Sequence, residues 1–166
     1  MELPEDTLSE PLVTKQKTAE EWSRRVRVLD HTEIVLLSEN ALGFRNLMST
    51  YDVGEPSDHV SAESLDVVFA KWLEDRSAQR MSEPKLIAIL GITFGNYLCD
   101  LLSMQWAEIT DDVGTTYAVL HETAEVYCFP LEAVKKRTMS REIGFFAGIE
   151  AAVREGISKT STKQRP

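Results

Sequence analysis

Cysteine is scarce: Cys99 and Cys128 are the two in 166 residues, and neither belongs to a CxxC pair or a spaced framework. A secreted chain of this size more often carries bridges, so both thiols are expected free in a reducing cytoplasm. Spacing alone leaves open a pairing of the two with each other. HExxH and paired-histidine motifs are absent, which removes the usual zinc patterns. His31 and His59 have no spaced metal partners and read as solvent-facing or capping residues. There is no GxGxxG and no glycine loop ending in Lys-Ser or Lys-Thr, so no phosphate cradle is encoded. The start, "MELPEDTLSEPL", lacks the basic and apolar regions of a signal peptide. The longest uncharged apolar run, Leu86 to Cys99, is shorter than the ~20 residues of a membrane span. Basic residues are outnumbered, 18 to 27, giving a formal net charge of −9. The resulting pI near 4.9 argues against contact with nucleic-acid phosphates.

What is present is a soluble globular composition, 43% apolar and 27% charged, long enough for one domain with a sizeable core. Residues 1–17, with two prolines and few apolar side chains, read as a mobile tail. Thr18 and Glu21 form a capping-box pattern before "AEEWSRRVRVLD", where Trp22, Val26 and Leu29 fall on one helical face. "TEIVLLSENALGFRNLMSTY" is also helical in period, with Ile34, Leu37, Leu42, Phe44 and Leu47 as core. Ser61 caps a helix striped by Leu65, Val68, Phe69, Trp72 and Leu73. Ser82 caps the next, with Pro84 tolerated in its first turn. That helix, "KLIAILGITFGNYLCDLLS", is apolar nearly all round and belongs at the centre, with Leu86, Ile89, Leu90, Phe94, Leu98 and Leu101 buried.

The period then changes to two. "MQWAEIT", "TTYAVLH" and "AEVYCF" are strand-length, rich in β-branched and aromatic residues, and joined by short connections. "LEAVKKR" and "REIGFFAGIEAAVREGI" return to helix, and residues 158–166 read as a second mobile tail. The predicted architecture is α+β: one domain over 18–157, its helices packed on a small antiparallel three- or four-stranded meander sheet.

The candidate sites are few. "DDVG" between two strands has hairpin-turn chemistry. A twelve-residue calcium loop from Asp111 to Glu122 fails, because Val, Thr and Tyr stand where oxygen ligands belong. Gly91 and Gly95, four apart, read as close helix packing. A Cys99–His121–acid triad is disfavoured because Cys99 lies in the most apolar helix, where thiols are inert. No catalytic residue, metal site or cofactor is expected. Charge distribution stands out: residues 104–130 hold Glu108, Asp111, Asp112, Glu122 and Glu125 and no Lys or Arg, followed by basic Lys135–Arg137. These five acids are the candidate docking face for a basic protein partner.

"LGITFGNYL", "QWAEITDDVG", "YAV" and "FPLEAVKKR" together resemble a bacterial domain-of-unknown-function family, number thirty-eight-oh-six in that series. Gly91, Gly95, Trp106, Asp111, Gly114, Pro130, Val134, Lys136 and Arg137 stand at its motif positions, and the resemblance covers about Pro84 to Ile157. It implies a compact bacterial α+β domain and carries no chemistry. The functional expectation is a non-catalytic cytoplasmic interaction protein of immunity or antitoxin type. The alternative is a small enzyme or ligand-binding domain with a pocket between sheet and helices, using Asp111, Asp112 or His121.

Overall fold

The computed structural model describes residues 25–54 and 59–163. The expected tail over 1–17, the Thr18 capping box and Trp22 lie outside the described residues. The elements run β1 (Val26–Val28), α1 (His31–Ser38), a 3₁₀ turn (Glu39–Gly43), α2 (Phe44–Thr50), α3 (Ala62–Glu74) and α4 (Glu83–Leu102). Then follow β2 (Gln105–Thr110), β3 (Thr115–His121), β4 (Val126–Cys128), α5 (Pro130–Ser140) and α6 (Phe145–Lys163). The strands form an antiparallel meander in the order β1-β2-β3-β4. The fold is α+β, with the described helices gathered on one face of the sheet.

The fourth strand is where a helix was expected. Val26, Arg27 and Val28 pair with Ile109, Glu108 and Ala107 of β2. Alternating β-branched residues suit a pleated edge, and the tertiary pairing overrides the helical spacing of Trp22, Val26 and Leu29. Leu29 is still core. Asp30 then opens α1 with a capping box: its side chain accepts from the Glu33 amide at 2.9 Å, and Glu33 accepts from the Asp30 amide at 2.9 Å.

α4 passes through the centre, burying Leu86, Ile89, Leu90, Phe94 and Leu98. Leu101 is exposed instead, because it stands in the last turn, beyond the packed helices. By length and composition α4 would suffice to cross a bilayer, being extended beyond the apolar run by Glu83–Lys85, yet half of its most apolar stretch is buried inside the protein. The five stripe residues of α3 are all buried. Ser61 caps α3 reciprocally with Ser64, while Ser82 stands at the α4 cap position without a side-chain bond. Phe69, Phe94 and Phe145 meet Phe146 or one another edge-on, joining α3, α4 and α6. Asp66 holds the start of α6 by accepting from the amides of Phe146 at 2.9 Å and Ala147 at 3.0 Å.

Leu42, expected in the core, is 76% exposed. The segment tightens to a 3₁₀ turn there, and three residues per turn rotate Leu42 away from the face that Phe44 and Leu47 share. The polar tail expected from residue 158 is helical through Lys163. The hydroxyls of Ser158, Thr160, Ser161 and Thr162 each donate to the carbonyl four residues back, and this ties polar side chains into the helix.

Candidate functional site: a cleft along α4

The five acids do not form one patch. Asp111 and Asp112 occupy the β2–β3 turn, while Glu122 and Glu125 occupy the β3–β4 turn at the other end of β3. The seven residues of β3 separate the two turns by about 20 Å. The β2–β3 turn is a hairpin connection as its composition predicts. The Asp111 side chain accepts from the amides of Val113 at 2.8 Å and Gly114 at 3.1 Å, and the Asp111 amide donates to the Gly114 carbonyl at 2.9 Å.

Nor is the sheet purely acidic. β1 and Arg25 just before it supply the basic side chains that the 104–130 window lacks. Arg27 donates to Glu108 at 2.7 and 3.1 Å, and to both carboxylate oxygens of Glu33 at 2.8 and 2.9 Å. Glu33 is held down to about 2, first by Arg27 and then by the Asp30 amide. Arg25 comes within 3.9 Å of Asp112. The basic "KKR" is also altered. Arg137 is buried, 3.3 Å from Glu142 and over the Phe145 ring, so it joins α5 to α6 and presents no basic surface. Its Nε lies at ion-pair distance from Glu142 without hydrogen-bond geometry.

The side chains that do converge lie on α4. Thr93, Asn96, Tyr97 and Asp100 follow the i, i+3, i+4, i+7 spacing of one helical face. α1 and the 3₁₀ turn stand over this stripe and leave two adjoining cavities. One, of about 440 Å³, is lined by Leu29, Ile34, Cys99, Met104 and Trp106 among others; the second, about 430 Å³, by Phe44, Arg45, His59, Thr93 and Tyr97 among others. They meet at Ser38, Asn96 and Asp100, which line both.

Asn96 is fixed between them. Its carbonyl oxygen accepts from the Trp106 indole at 2.9 Å, and its amide donates to the Ser38 hydroxyl at 3.2 Å. This contact depends on Gly95, since a Cβ there would fall inside the Trp106 ring. Gly91 likewise admits α5: an added Cβ would stand 2.9 Å from the Leu131 Cα. The close-packing reading of "GITFG" is thus what the structure contains, and it is what seats Trp106 against the stripe.

The Thr93 hydroxyl is buried and has no hydrogen-bond partner among the described residues. Tyr97 donates to Glu150 at 2.8 Å, its phenol pushed up to about 12 by burial and by that carboxylate. Burial, and secondarily the charge of Asp100, pushes the Cys99 thiol up to about 12, which keeps it protonated at neutral pH. His121 serves elsewhere: its Nδ1 accepts from the Ala124 amide at 3.1 Å and shapes the β3–β4 turn. Asp111, Asp112 and His121 do not line the cleft. No three metal-ligating side chains gather among the described residues.

Sequence reasoning missed this stripe by reading α4 as apolar all round. The available signal was four polar residues at helical spacing inside an apolar helix. A family model, Domain of unknown function (DUF3806), matches residues 58–144. The chain belongs to this family. No curated protein and no solved structure matches it. The DUF3806 segment contains α3 through α5, and with them the whole α4 stripe and Trp106. The opposite wall of the cleft, from Leu29 to Arg45, comes from the residues before the DUF3806 match.

Proposed function

We propose that this DUF3806 chain is a non-catalytic binding domain that takes a small polar molecule into the cleft along α4. The observation that carries the reading is the shared floor, Ser38, Asn96 and Asp100, beneath two cavities whose volumes fall in the usual range for ligand clefts. The unpartnered Thr93 hydroxyl supports it, since a buried hydroxyl without a partner is costly and a ligand atom would relieve it. The protonated Cys99 supports binding over thiol chemistry. A screen of small polar fragments by NMR, mapped on the amide spectrum, tests the idea. The expected hits shift Thr93, Asn96 and Asp100 and lose their effect in Thr93→Val. Hits that map only elsewhere, or none at all, would sink it.

A second reading keeps the protein as a non-catalytic interaction protein of a bacterial cytoplasm, of immunity or antitoxin type, meeting a basic partner. One observation favours it. Val113 is 97% exposed at a hairpin tip beside Asp111 and Asp112, an apolar contact flanked by acids. Association with such a partner should slow with salt and with Asp112→Asn, because exposed charges act mainly on encounter rate. A captured partner whose association ignores both would remove this reading.

A further inference from the structure

The sheet has a second face. Successive strand residues alternate sides: Trp106, Val119, Val126 and Cys128 join the helical core, while Ala107, Ile109, Ala118, Leu120 and Tyr127 form a separate apolar cluster with Val26 and Phe129. The helices approach the first side. Gly95 of α4 lies against Trp106, Gly156 of α6 against Val126, and Glu33 of α1 reaches Arg27, which is paired with Glu108. α5 buries Ala133 and Val134 in the helical core as well.

Yet the second face is not open. Ile109, Leu120 and Tyr127 are only 5%, 6% and 8% exposed. One layer of side chains on a sheet does not hide itself to that degree, so burial at this level calls for a further layer. Among the described apolar side chains outside the cluster, Val26 and Phe129 pack against it, and Val28 at the edge of the same face is 47% exposed. Outside the described residues the chain has three parts. Residues 55–58 are tied between α2 and α3. Residues 164–166, Gln-Arg-Pro, are few and polar. Residues 1–24 contain Leu3, Leu8, Leu12, Val13 and Trp22 and run directly into β1 at the sheet edge.

We propose that residues 1–24 of the same chain dock on the second face of the sheet, with their apolar side chains over Ile109, Leu120 and Tyr127. Reach is no obstacle. An extended segment of this length spans up to about 80 Å, against strands of about 20 Å laid about 5 Å apart. The attachment is favourable too, because the segment enters at the edge strand and needs no long loop to return over the sheet.

The test uses the full chain with a benzophenone amino acid at Thr116, which pairs with Ile109 and shares the second face. Irradiation followed by tryptic mass spectrometry should give a crosslink within one chain to a peptide from residues 1–24. A crosslinked dimer would overturn the proposal in favour of a second copy on this face. A crosslink to any other part of the chain, or none, would overturn it as well. Gln105, exposed and on the same face, is a second probe position should the first variant fail to fold. In parallel, Leu12→Asp combined with Val13→Asp should raise binding of a hydrophobic dye several-fold and speed hydrogen exchange in β2 and β3. Unchanged dye binding and exchange would count against the proposal.

Discussion

Gly95→Ala and Gly148→Ala are the same substitution in two helices and should have opposite signs. At Gly148, on the exposed side of α6, an added Cβ meets nothing within 4 Å. Alanine there should stabilise by up to about 1 kcal/mol, the difference in helix propensity. At Gly95 the new methyl group would overlap the ring of the buried Trp106. Overfilling a packed core costs about 1–3 kcal/mol. Displacing the ring also takes the indole N–H from Asn96, leaving a buried donor at about 1–3 kcal/mol. The propensity gain offsets about 1 kcal/mol of that total. The net expectation is a loss of about 1–5 kcal/mol, a large share of the roughly 5–15 kcal/mol typical of a domain. Urea denaturation followed by far-ultraviolet circular dichroism measures both variants without relying on Trp106 itself. If Gly95→Ala stabilises as Gly148→Ala does, the seating of Trp106 against α4 is wrong, and the cleft built on Asn96 loses its floor.

Other outcomes are as concrete. Phe94→Ala should cost about 3–5 kcal/mol in the same melts, since it empties a fully buried site; a loss under about half a kilocalorie would place α4 outside the core. Asp111→Ala should cost roughly 0.5–2 kcal/mol by analogy with lost cap bonds, because two turn amides lose their acceptor; calorimetric titration of the parent with calcium, magnesium or zinc should show no stoichiometric heat, and a heat that vanishes in the variant would contradict the turn reading. For Glu33 the folded pKa, about 2, lies below the ordinary carboxylate value. Its contribution is therefore present above the unfolded pKa of about 4.3 and is lost as pH falls through about 2. In Arg27→Gln, NMR titration should find the Glu33 carboxyl moved upward toward the ordinary value. A midpoint that stays near its parent value would mean that the Asp30 amide alone holds Glu33 down.

The three expected strands, the central helix and the β2–β3 turn were legible because each follows from a local pattern: alternation, an apolar run, and Asp with Gly between two strands. β1 was not legible. Trp22, Val26 and Leu29 have the spacing of a helical face, and only the partner strand eighty residues away decides between the two forms. The same distance hid the charge balance, since Glu108 looks solitary in its own window until Arg27 is placed beside it. Leu42 and Leu101 were misplaced for a different reason. Periodicity predicts a face but not where a helix tightens or outruns its neighbours. The polar stripe of α4 had a local signal in its helical spacing, but the cavities over it depend on how α1 and the 3₁₀ turn stand across that face, which no local pattern encodes.

The pairing of β1 with β2 also sets where this domain can be cut. The DUF3806 match begins after β1, so a fragment confined to residues 58–144 would carry β2 as a naked six-residue edge. Among the described residues the sheet ends on both sides with three-residue strands, too short to template much pairing. The excised fragment would instead offer Gln105–Thr110, with Glu108 stripped of its arginine, to the same edge of another molecule. Self-association of such a fragment would therefore report the missing strand rather than any native assembly. The physical unit begins at least as early as Arg25, some thirty residues ahead of the boundary that sequence similarity draws.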